Sequence, residues 1–163
     1  MKMKIIFLDI DGVLNSDRYE ASRVEDNDYN YIDLSRVRLL ADIVNATDAK
    51  IVLSSSWRVD WDKSFHLCGN DGKYINECLA AYGIGVMDKT PFISFFTDRR
   101  KEILSWLSRH PGEVESFVIL DDINYGWDEL HSRVVITNPQ GYGLEEEHVQ
   151  KALELLNKRI VFK

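Results

Sequence analysis

Cysteine, proline and long apolar runs are all scarce in this 163-residue chain, and each scarcity removes a class of protein. The two cysteines, Cys68 and Cys78, make no CxxC pair and have no zinc-type histidine pattern beside them. A disulfide framework and a structural zinc site are thereby set aside, and two free thiols in a reducing compartment are expected. Cys68 with His66 is too sparse a pair to found a nucleophile and base. No stretch approaches the ~20 apolar residues that span a bilayer. The first residues lead straight into an apolar strand without a small-residue cleavage site, so no signal peptide and a cytoplasmic location are expected. Three prolines and nine glycines leave no linker, and there is no repeat, so one domain over 1–163 is expected. Positive charge is also in deficit, with 20 Lys and Arg against 27 Asp and Glu. The net charge of −7 argues against broad attraction to nucleic acid or anionic membrane, while leaving room for a small basic pocket around one phosphate.

What the chain does have is alternation. Residues 5–8 (IIFL), 50–54 (KIVLS), 84–87, 117–120 (FVIL) and 133–137 (RVVIT) read as buried strands, apolar on both faces as in parallel sheets. Between them lie helical periods. Over 33–46, Leu34, Val37, Leu40, Ala41 and Val44 share one face behind Asp33 as N-cap. Residues 74–82 form a short helix stopped by Gly83. Residues 99–109 place Ile103, Leu104, Trp106 and Leu107 on one face, and 144–156 turn Val149, Ala152, Leu155 and Leu156 inward. Residues 16–30 read as a polar loop or small lid, and 57–73 as irregular. The tail after Arg159 is an edge strand or a loose end. The pattern predicts an α/β fold, a three-layer, doubly wound parallel sheet of Rossmann-like form.

In such sheets ligands sit at the carboxyl ends of the strands. Those ends deliver Asp9 and Asp11, then Ser54, Ser55 and Ser56, then Asp121 and Asp122. An acid at the end of a buried strand is costly unless its charge is compensated. Either these are solvated turn acids or they hold a cation. Mg²⁺ favours a few carboxylates with water and substrate phosphate. Asp9, Asp121 and Asp122 suit it, with Asp11 or a carbonyl beside it completing the protein's share. Trp57, Trp106 and Trp127 read as packing residues, and none of the four histidines is given a role.

The segments FLDIDGVLN, KIVLSSSWR and FVILDD, in that order, resemble the first, second and fourth motifs of the haloacid dehalogenase-like (HAD) phosphatase superfamily. The likeness runs from residue 4 to about 156. The combination is similar to small HAD domains of bacterial and phage proteins, some of whose relatives are fused to RNA-repair enzymes. Arg99, Arg100 and Lys101 all qualify as the third motif, and Arg99 has the best spacing.

The resemblance implies a Mg²⁺-dependent phosphomonoesterase. Asp9 would be the nucleophile that becomes an aspartyl-phosphate, and Asp11 the general acid and then base. Ser55, or Ser54 if the strand ends a residue earlier, would bind a phosphate oxygen, and Arg99 would neutralise phosphate charge. Asp121 and Asp122 would hold the metal, with either one the direct ligand. Gly12 and Val13 would offer backbone N–H groups, and Asn15 and Arg58, beside the motifs, would touch substrate. Caps are expected only as small segments, at 16–31 and 58–97. The site would then be open, edged by Tyr19, Tyr29, Tyr31, Trp61 and Phe65, and would take a phosphorylated small molecule or a nucleic-acid end. A nucleotidase or phosphotransferase on free nucleotides, and a non-catalytic phosphate-binding module, are the competing readings.

Overall fold

A computed structural model describes residues 2–22, 31–93 and 98–160. Five parallel strands form one sheet in the order β3-β2-β1-β4-β5. They are β1 (Met3–Leu8), β2 (Lys50–Leu53), β3 (Val86–Lys89), β4 (Val114–Asp121) and β5 (Val134–Ile136). The helices are α1 (Asp17–Ser22), α2 (Leu34–Thr47), α3 (Asn70–Ala80), α4 (Arg99–Ser108) and α5 (Glu146–Leu156).

Period-two alternation along the strands divides the core in two. Ile6, Leu8, Ile51, Leu53, Val118 and Leu120 face one way, against Val37 and Leu40 of α2, Ile75 and Leu79 of α3, and Val149 and Ala152 of α5. Ile5, Phe7, Val52, Phe117 and Ile119 face the other way, against Ile103 and Trp106 of α4 and Trp127 beyond β4. Helices therefore cover both faces, as the sequence predicts. The fully buried run of β1 is explained by its central place between β2 and β4.

Asp33 caps α2 by accepting from the Ser35 amide, as expected, but Leu34 is exposed, and Leu39 and Ile43 take its place in the core. In α5, Leu155 is only half-buried while His148 is buried. The polar segment after Ser16 contains α1, none of whose residues is buried. The segment 58–93 holds the end of one short 3₁₀ helix, a second one, α3 and β3, so much of it belongs to the sheet and its helical layer. α3 begins at Asn70, four residues before its apolar period starts. Asp60 explains this: its carboxylate accepts from the Asp71 and Gly72 amides, and its backbone lies where a Gly72 side chain would sit. β3 runs two residues later than its hydrophobicity suggests. It is an edge strand whose register against β2 shifts between Ile51 and Val52. Ile160 donates to the Glu115 carbonyl and packs on the second core; the rest of the tail, Tyr29 and residues 94–97 lie outside the described residues.

Candidate active site

β1 and β4 are direct neighbours, in register from Lys4–Ser116 to Leu8–Leu120. One residue further on, the Asp9 amide donates to the Leu120 carbonyl at 3.1 Å. This pairing lays Asp9 beside Asp121, and Asp122 follows on the same rim. Each of Asp9, Asp121 and Asp122 offers an oxygen, all within 4.8 Å of one another. Asp9 is 4% exposed and Asp121 0%.

A single guanidinium nitrogen meets two of the three. Arg99 Nη1 lies 2.7 Å from Asp121 and 3.0 Å from Asp9. Arg99 stands at the first turn of α4, with Asp98 as the N-cap accepting from Lys101, so the helix start fixes where the side chain projects. Its guanidinium also lies 5.4 Å from the centre of the Tyr125 ring. Burial, reinforced by Asp121 and Asp122 and opposed by Arg99, leaves the Asp9 carboxyl raised to about 8. Burial raises Asp121 too. Burial alone would lower Arg99, but Asp9 and Asp121 more than reverse this and raise it.

With all three carboxylates ionised, one guanidinium leaves two formal negative charges in a largely buried corner. That is the charge of one divalent cation, and all the donors are hard oxygens. The residues thus fit a hard divalent ion.

Asp11 stands apart from this group and is exposed. Its Oδ1 accepts from Asn15 Nδ2 at 3.0 Å and its Oδ2 from the Trp57 indole N–H at 3.1 Å. A cleft of about 350 Å³ opens here, lined by Asp11, Gly12, Asn15, Tyr31, Trp57 and Asp122 among others. A larger groove of about 890 Å³, beside Leu104, Phe117 and Arg133, contains none of these acids.

The turn after β1 has a tight geometry. Gly12 has φ +81°, and an added side chain would strike Asp122. Its amide donates to Asn15 Oδ1 at 2.8 Å, and the Val13 amide to the Ile10 carbonyl at 3.1 Å. Both N–H groups expected to reach phosphate are therefore spent inside the turn, and both ends of the Asn15 amide are committed there as well. Thr137, which the sequence did not single out, ties the turn to β4 and β5. Its hydroxyl donates to the Gly12 carbonyl at 2.7 Å and its amide to the Asp121 carbonyl at 2.9 Å.

At the end of β2, Leu53 pairs with Leu8, so Ser54 is the register neighbour of Asp9. Ser54 is fully buried, and its hydroxyl has no hydrogen-bond partner among the described residues. Ser55 uses its hydroxyl to accept from the Trp57 amide, capping the 3₁₀ helix Ser56–Asp60.

Arg58 does not reach the cleft, contrary to the expectation that it touches substrate. It is 3% exposed and pairs with Glu102 of α4 at 2.5 Å. Its other donors go to the Thr90 carbonyl at 3.1 Å and the Ser55 carbonyl at 2.8 Å. Its position in the SSSWR segment could not disclose a partner 44 residues away. Of the aromatics expected at the rim, Tyr31 lines the cleft, Tyr19 donates to the Ile32 carbonyl, Trp61 is buried against Asn76, and Phe65 is exposed elsewhere. Trp57, read as a packing residue, is half-buried and meets Asp11.

No helix among the described residues is long and apolar enough to cross a membrane. Comparison with curated proteins and with solved structures gives no match. The family model described as the HAD domain in Swiss Army Knife RNA repair proteins matches residues 5–149, from β1 into α5. Every acid of the site and all of the sheet except the first two residues of β1 lie inside that span, which supports a phosphoryl-transfer role for the carboxylate corner. The chain belongs to this family of HAD domains.

Proposed function

We propose that the protein is a Mg²⁺-dependent phosphomonoesterase working through an aspartyl-phosphate on Asp9. The observation that carries this reading is the carboxylate corner itself. Two adjacent strands bring Asp9, Asp121 and Asp122 within 4.8 Å, with Arg99 bridging two of them.

Mg²⁺ held by Asp9, Asp121 and Asp122 would supply charge neutralisation for a phosphate beside the nucleophile. Asp9 attacks phosphorus, and the ester P–O bond breaks toward the leaving oxygen. Asp11 gives that oxygen a proton. A water then attacks the same phosphorus and passes its proton to Asp11. The bond from Asp9 to phosphorus breaks with its electron pair returning to the carboxylate, and orthophosphate leaves. Arg99 neutralises charge that grows on the transferring group, the kind of preorganised contact that dominates phosphoryl transfer. Ser54 is the serine we assign to a phosphate oxygen: it is Asp9's register neighbour, and its buried hydroxyl lacks a partner among the described residues. Ser55 is already engaged as a helix cap.

For substrate we favour a phosphorylated RNA end, a reading that the family's place in RNA repair proteins supports. The cleft beside Asp11 carries Tyr31 and Trp57, suited to the face of a base, but also Asp17 and Glu20, which oppose a run of phosphates. A single terminal phosphate, on an RNA end or a free nucleotide, fits both features.

The test is orthophosphate release from an aryl phosphate, followed by a panel of 3′- and 5′-phosphorylated oligonucleotides and free nucleotides. Turnover that requires Mg²⁺ and stops with chelator supports the reading. Full turnover in excess chelator, or none on any monoester, would overturn it.

A further inference from the structure

The Asp11 carboxylate sits on an exposed turn, where a side chain ordinarily samples several rotamers. Here both of its oxygens are held, and from two different parts of the chain. Asn15 secures Oδ1 at 3.0 Å from within the turn. Trp57 secures Oδ2 at 3.1 Å from beyond the end of β2, 46 residues away in sequence.

The indole is itself fixed. Ser55 caps the short helix that starts the segment and accepts from the Trp57 amide at 3.2 Å. The ring stands edge-on to Tyr31, with centroids 6.4 Å apart, and lies tilted at 6.5 Å from Tyr74. Tyr74 is anchored in turn, its hydroxyl accepting from the Ile32 amide at 2.9 Å. The donor therefore rests on a braced ring, and it is aimed at the one acid of the site that stands apart from the carboxylate corner. A packing role would explain the ring but not the direction of its N–H.

We propose that Trp57 is a positioning residue, whose indole N–H fixes the rotamer of Asp11 for proton transfer to the leaving oxygen. The inference rests on the phosphomonoesterase reading and on Asp11 as its proton donor. In the step concerned, the ester P–O bond breaks, its electron pair goes to the leaving oxygen, and the proton from Asp11 joins that oxygen. A misaligned Asp11 slows this step only when the leaving oxygen needs the proton.

Trp57→Phe keeps a ring between Tyr31 and Tyr74 and removes the N–H. The measurement is kcat/KM on two esters, phenyl phosphate and dinitrophenyl phosphate. The phenolate of the first leaves poorly without a proton; that of the second leaves unaided. Loss of about tenfold is expected on phenyl phosphate, the scale of one hydrogen bond, and less than about threefold on dinitrophenyl phosphate. Asn15→Ala removes the donor to the other oxygen without touching the aromatic brace. It must reproduce the same contrast, which guards against a folding defect in the tryptophan variant. Equal losses on both esters, or no loss on either, would overturn the role of Trp57 while leaving the phosphatase intact. A wild-type protein inert on both esters would overturn the phosphatase reading and this inference together.

Discussion

Arg58 and Arg99 are both withdrawn from solvent and both meet carboxylates, yet they do opposite work. Arg58 faces one carboxylate, Glu102, and spends its remaining donors on backbone carbonyls at the end of β2 and after β3. Burial lowers Arg58 and raises Glu102, so desolvation opposes both charges and their contact offsets it only in part. An arginine nonetheless keeps its proton, and the pair closes on itself. Arg99 faces two carboxylates with a third nearby, and its surroundings retain an excess of negative charge. The difference teaches that burial alone does not mark a functional cation. What marks it is an unbalanced set of partners, because only an unbalanced site has a use for a metal ion or a phosphate. The two arginines are also linked through α4, which carries Glu102 one turn after Arg99. The closed pair thereby holds the helix that presents the open one.

The largest effect should come from the carboxylate that makes the Arg99 side chemical. Asp9→Asn should lower turnover by on the order of 10⁴ or more, the scale of removing a covalent nucleophile, while circular dichroism and melting show an intact fold. Next comes a direct test of the comparison. Arg58→Met should cost about 3–5 kcal/mol in denaturant unfolding, because Glu102 is left buried and alone, while the folded fraction keeps turnover within a few-fold. Arg99→Met should lower kcat of the folded protein by about 10²–10³. Matching signatures for the two variants would erase the distinction. A sharper form pairs Arg58→Met with Glu102→Met. The double variant should regain much of the lost stability, since a closed ion pair is replaceable by apolar side chains and an open one is not.

The last effect is a pH slope. Asp9 is raised to about 8 from 3.8, so the metal-free fold keeps a proton that the unfolded chain gives up above about pH 4. The stability this provides is complete below that point and is lost as pH rises through about 8. Melting temperature in chelator should therefore fall between those limits. Mg²⁺, which favours the ionised carboxylate, should flatten the slope. A slope of opposite sign without metal would mean that Arg99 outweighs burial at Asp9.

The strands, their order of acids and the wrapping by helices were legible because those signals are local. Four apolar residues followed by Asp9, or by Asp121 and Asp122, announce a buried strand and its rim without reference to the rest of the chain. The start of α3 was not legible, because the carboxylate that accepts from its first-turn amides is Asp60, ten residues before Asn70. Neither was the strut role of Arg58 or the Asp11 contact of Trp57, whose partners lie 44 and 46 residues away. Which serine stands beside Asp9 was legible only to within one position. The β1–β2 register, which places Ser54 beside Asp9, is a property of the pairing rather than of the SSS run.

The central claim is that Asp9 carries the phosphoryl group. It is tested most directly by mixing protein, Mg²⁺ and an aryl phosphate, reducing any acyl-phosphate with borohydride, and locating the reduced residue by peptide mass. The account predicts reduction at Asp9, dependent on both substrate and Mg²⁺ and absent from Asp9→Asn. Steady hydrolysis with no reduced residue at Asp9, or with the mark on another side chain, would contradict it.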